Sequence, residues 1–96
     1  MNHYDAIHST LAQLVQLLQA QGAHNWAHAL ARNSATLEQA PRVGLEELLR
    51  CYGGSGSFND LVLGGVPVSV NEQLDQLRQR LFDQLLAARQ ALCSDT

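Results

Sequence analysis

A chain of 96 residues, 46% hydrophobic and 16% charged, is sized for one domain around one core, because folding at this length buries roughly 60–70% of the surface of the extended chain. That apolar content argues against disorder, and no run of residues approaches the ~20 apolar positions of a membrane span. The net charge of -3 rests on nine acidic and six basic residues, and the basic ones are all arginines, scattered singly except for Arg78 and Arg80, which is a poor surface for displacing counterions from nucleic acid.

From about Asp5 to Gln21, Ile7, Leu11, Leu14, Val15 and Leu18 recur at spacings of three and four, which predicts a first amphipathic helix. Gly22, tolerant of positive φ, is its natural stop. An alanine-rich second helix follows over Ala23 to Gln39, with Trp26, Leu30 and Leu37 on a common face. Pro41 disfavours α geometry in the residue before it and ends that helix near Gln39 or Ala40. Leu45, Leu48, Leu49 and Tyr52 predict a short third helix, roughly Val43 to Tyr52, closed by Gly53.

The segment Gly53-Gly54-Ser55-Gly56-Ser57-Phe58-Asn59-Asp60 has no helical periodicity, and each glycine would cost a helix about 1 kcal/mol. It reads as a loop, with Phe58 as its anchor in the core and Asn59 or Asp60 accepting backbone hydrogen bonds. Leu61-Val62-Leu63 and Val66-Pro67-Val68 flank Gly64-Gly65 as either a short hairpin or an apolar loop packed on helices. A long last helix carries Leu74, Leu77, Leu81, Leu85, Ala88 and Leu92 on one stripe, broadened by Phe82 and Leu86. Ser69 to Glu72 fits a capping box, and Asn71 is a second candidate cap. The expected fold is all-α: residues 1–96 as one four-helix domain, the long C-terminal helix against the first, and a core of Ile7, Leu11, Leu14, Leu18, Trp26, Leu30, Leu49, Leu77, Leu81 and Leu85.

The glycine loop invites a phosphate-binding reading, since clustered backbone N–H groups can cradle an anion. It lacks the lysine of a Walker loop, follows a helix where a dinucleotide fingerprint follows a strand, and has serine where G-x-S-x-G requires its last glycine. His24 and His28, four apart, share a helix face, but two ligands make half a metal site and the glutamate of H-E-x-x-H is missing; they read as a partly exposed pair flanking a buried Trp26. His3 and His8 read as solvent-facing, and Glu46, Glu47 and Asp60 as a solvated acidic face. Cys51 and Cys93 are too far apart for a zinc ribbon and read as reduced thiols, a disulfide between them being the alternative. Residues 1–10 lack the basic start and apolar run of a secretory signal, so a cytoplasmic location is expected. Neither a metal nor a cofactor is predicted.

Trp26 in the second helix, the run Cys51-Tyr52-Gly53-Gly54-Ser55-Gly56-Ser57-Phe58-Asn59-Asp60-Leu61, and Asn71-Glu72 at the last helix together resemble a family of small bacterial proteins of unknown function marked by YGGxGSFNDL after a tryptophan-bearing helix. Position 55 departs from that pattern, being serine where methionine is common. Some small helical proteins of this kind resemble immunity proteins encoded beside polymorphic toxins. With the small size, helicity, mild acidity and lack of catalytic residues, this similarity points to a non-enzymatic binding protein that neutralises a cognate toxin, and the loop residues Tyr52, Ser55, Ser57, Asn59 and Asp60 are the expected contact surface, since aromatic anchors and polar rims typify interfaces. A small enzyme or ligand-binding domain that takes an anionic group on the loop is one alternative. A homodimeric scaffold paired through Phe82 and Leu86 is another.

Overall fold

A computed structural model describes residues 3–53 and 58–94 of the chain, with side chains as far as Leu92. Helices α1 (His3–Ala20), α2 (His24–Gln39) and α3 (Pro41–Arg50) follow one another through short connections, and a longer one, residues 51–67, with a 3-10 turn over Phe58–Asp60, leads to α4 (Val68–Ser94). No strand occurs among the described residues.

Local chemistry sets each boundary. Gly22 adopts φ +83, and the Ala23 amide donates to the Leu18 carbonyl at 2.8 Å while the Gly22 amide donates to that of Gln19 at 3.2 Å. This paired closure satisfies carbonyls that the end of α1 would otherwise leave free. Helix α2 ends at Ala40, whose extended backbone (φ -142) precedes Pro41 at the first position of α3, where proline loses no hydrogen bond. The third helix therefore starts two residues earlier than its leucine spacing indicates. It also ends earlier, at Arg50, with the Tyr52 and Gly53 amides turning back to Leu49 and Arg50.

Helix α1 packs against both α2 and α4, and α3 packs against α2 and α4. The core consists of Ile7, Leu11, Leu14 and Leu18 of α1, Ala27, Leu30 and Leu37 of α2, Leu45 and Leu48 of α3, Phe58, and Leu74, Leu77, Leu81, Leu85 and Ala88 of α4. Two residues expected there, Trp26 and Leu49, are half-buried at its edge. Where α2 crosses α3, Gly44 is buried against the backbone of Leu37, and a Cβ built on Gly44 would lie 2.5 Å from the Leu37 Cα. The absence of a side chain is what allows these two helices their approach.

The hairpin alternative for residues 61–68 does not form. Leu61 and Leu63 turn towards the core and Gly65 makes the turn at φ +70, leaving Val62 and Val68 each 73% exposed. Asn71 takes the place of a second strand: its Oδ1 accepts the Leu63 amide and its Nδ2 donates to the Leu63 carbonyl, both at 2.9 Å. The expectation that Asn71 or a capping box opens the last helix is corrected accordingly. Helix α4 begins at Val68, and the Val70 amide donates to the Pro67 carbonyl at 3.0 Å.

Candidate functional site

The base of the loop between α3 and α4 carries a hydrogen bond from the Phe58 amide to the Cys51 carbonyl at 2.8 Å. Ser55 and Ser57 lie outside the described residues; the other contact candidates, Tyr52, Asn59 and Asp60, stand at or beside this base. Phe58 is fully buried, as its anchoring role requires. Its ring meets Trp26 at 5.2 Å between centroids and stands nearly perpendicular to Tyr52 at 5.8 Å; Tyr52 in turn packs on Phe82 at 5.0 Å. Rings offset or edge-on in this way gain attraction beyond the area they bury.

Beneath this stack lies Arg78, the residue that sequence reasoning missed. It falls on the apolar side of α4 among Leu74, Leu77 and Leu81 and is 7% exposed. Its Nη1 donates to the carbonyls of Phe58 and Leu61, each at 2.7 Å, its Nη2 pairs with Asp75, and its guanidinium carbon sits 5.8 Å from the centre of the Phe58 ring. The Tyr52 hydroxyl donates to the Arg78 carbonyl at 2.8 Å. A buried cation is tolerated only when its donors are satisfied, and here the backbone of the 3-10 turn supplies the acceptors. The signal was present in the sequence as a single arginine on the leucine stripe of α4.

Burial lifts the Tyr52 phenol well above its ordinary range, opposed by Arg78 and reinforced by Cys51 and Asp83. Cys51 is a free, half-buried thiol. It donates to the Glu47 carbonyl at 3.5 Å and accepts from Asn33 Nδ2 at 3.7 Å. Burial raises its pKa, the Asn33 contact partly offsets this, and Glu47 adds to it. A thiol so protonated is a weak nucleophile.

Tyr52, Asn59, Arg78, Gln79 and Phe82 surround a cleft of about 170 Å³ beside the loop base. Asn59, which lines it, is exposed, as is Asp60 next to it in the chain. The other candidates lie elsewhere. His24 and His28 are exposed on α2, and Trp26 between them is half-buried where full burial was expected; no group of three metal-ligating side chains occurs among the described residues. His8 is not solvent-facing: it is half-buried, with Nδ1 at 2.9 Å from the Ser34 hydroxyl, and so ties α1 to α2. Glu46 is exposed, whereas Glu47 is half-buried. No described helix is long and apolar enough to cross a membrane.

The family described as Domain of unknown function (DUF6966) matches residues 19–69, a span that runs from the end of α1 through the loop to the start of α4. No curated protein matches the chain, and no solved structure does.

Proposed function

We propose, for a chain that belongs to the Domain of unknown function (DUF6966) family, that it works without catalysis by holding a protein partner against the loop base and its rim. One observation carries the reading: the two ends of the loop are fixed, by the Phe58–Cys51 hydrogen bond and by Arg78 grasping the carbonyls of Phe58 and Leu61. Contact residues whose backbone is fixed at such a base before contact lose less entropy on binding, and that is how modest contact areas reach useful affinity. The half-exposed rings of Tyr52 and Phe82, edged by the polar Asn59 and Gln79, have the aromatic-centre, polar-rim character of interface hot spots.

The specific form we infer is an immunity protein that occludes a bacterial toxin. The resemblance stated above supports it, as do the chain's small size and its charge of -3, which suits a basic partner. The alternative of an anion on the glycine loop gains little from the cation at the loop base, since Arg78 is already shared between two carbonyls and Asp75. Co-expression with the product of an adjacent toxin-like gene tests the proposal. The chain should co-purify with that product and protect the cell, and Asn59→Arg should abolish both effects without lowering stability. Growth arrest unchanged by the wild-type chain sinks it.

A further inference from the structure

We propose that the outer face of α4 is a self-complementary surface on which two copies of this chain pair antiparallel. Gln76, Arg80, Asp83 and Ala87 follow one another along α4 at spacings of four, three and four, the periodicity of a helix-pairing seam. All four are exposed, on the side of α4 opposite its buried stripe of Leu74, Leu81 and Leu85. Together with His3 and Ala6 of α1 they line a shallow groove of about 780 Å³.

The seam is its own complement. A two-fold axis midway between positions 81 and 82, reversing α4 onto a second copy, sets Arg80 of each chain against Asp83 of the other and Gln76 of each against Ala87 of the other. This is the reciprocal pairing that an isologous interface requires. Charge complementarity favours a second copy as the occupant. Arg80 forms no ion pair among the described residues, where the one salt bridge joins Arg78 to Asp75, so its charge is free to meet Asp83. Ion pairs this exposed are weak and screened by salt, so the association is weak and dependent on ionic strength. The seam also differs from the Phe82 and Leu86 face that the sequence suggests, because Phe82 is engaged with Tyr52. It involves no toxin and stands independently of the binding role proposed for the loop.

Sedimentation equilibrium of the full chain at low ionic strength, up to about 1 mM, tests this. The wild-type chain should associate to dimers and dissociate as salt is added. Arg80→Asp and Asp83→Arg should each be monomeric, since each sets like charges opposite one another. An equimolar mixture of the two variants should associate again, because in the mixed pair every reversed charge meets its opposite. Circular dichroism verifies that both variants keep their helices, as expected for exposed positions. A wild-type chain that stays monomeric throughout, a single variant that associates like wild type, or a mixture that fails to associate overturns the proposal.

Discussion

The guanidinium of Arg78 and the carbonyl of Phe58 meet at 2.7 Å inside the protein, binding the start of the 3-10 turn to the middle of α4. Arg78→Met keeps much of the side-chain bulk but leaves the Phe58 and Leu61 carbonyls unanswered, at about 1–3 kcal/mol for each buried group. A total loss of about 2–5 kcal/mol is expected in urea melts. Arg78→Lys should not restore it, since an ammonium lacks the planar fork that reaches two carbonyls and a carboxylate together. Asp75, whose side chain is 65% exposed, should cost at most about 1 kcal/mol when changed to asparagine.

Gly44→Ala should destabilise the protein even though alanine is the better helix former by about 1 kcal/mol. The new methyl group would fall within 3 Å of the Leu37 Cα, N and Cβ, mostly backbone that cannot swing aside, and overpacking of this kind costs about 1–3 kcal/mol. Thermal melts should show a lowered midpoint; a raised one would mean that α2 and α3 can part without penalty.

Leu81 is fully buried, and Leu81→Ala should cost about 2–5 kcal/mol through the cavity it leaves. The half-buried Leu49 should be more tolerant than its neighbour Leu48, which has no exposed surface. Urea midpoints for Leu48→Ala and Leu49→Ala compare the two directly, and equal losses would contradict the orientation of α3.

Stability should fall in alkaline solution. The Cys51 thiol and the Tyr52 phenol both have raised pKa values in the folded chain, so on raising the pH the unfolded chain loses these protons first. The stabilisation is complete below the ordinary thiol value of about 8.5 and is lost as the pH climbs through the folded-state values. Urea midpoints measured from about pH 8 to 11 should decline, and a Cys51→Ala, Tyr52→Phe double variant should flatten that decline.

Asn71→Ala should release the Leu63 backbone, at about 1–2 kcal/mol for two lost hydrogen bonds. Faster hydrogen exchange at the Leu63 amide is the specific readout.

Periodicity made the helices legible. The i, i+3, i+4 leucine spacing of α1 and α4 depends only on helix geometry and hydrophobic burial, and both stripes are the ones buried. Phe58 could be placed in the core because it is the one large apolar residue in a run of small and polar ones. What eluded the sequence were choices among chemically equivalent partners. The leucine stripe of α4 sets Arg78 apart from the exposed Arg80, but the carbonyls that make its burial tolerable arrive only with the 3-10 turn. Asn71 could cap a helix or clasp a loop, and the position of Pro67 and Val68 decided for the clasp. Leu48 and Leu49 differ by 100° of helical rotation, and tertiary packing chose Leu48 for the interior. Of the five contact candidates, Tyr52 proved to be partly architectural, its hydroxyl bonded to the Arg78 carbonyl.

The clasp of Asn71 on Leu63 also bears on how this chain avoids sticking to its neighbours in a crowded solution. The aliphatic run Leu61-Val62-Leu63 has no strand beside it among the described residues, and an unpaired backbone edge of this kind can recruit other chains. By giving both hydrogen-bonding groups of Leu63 to a side chain of its own final helix, the protein removes a rung on which such pairing would be templated.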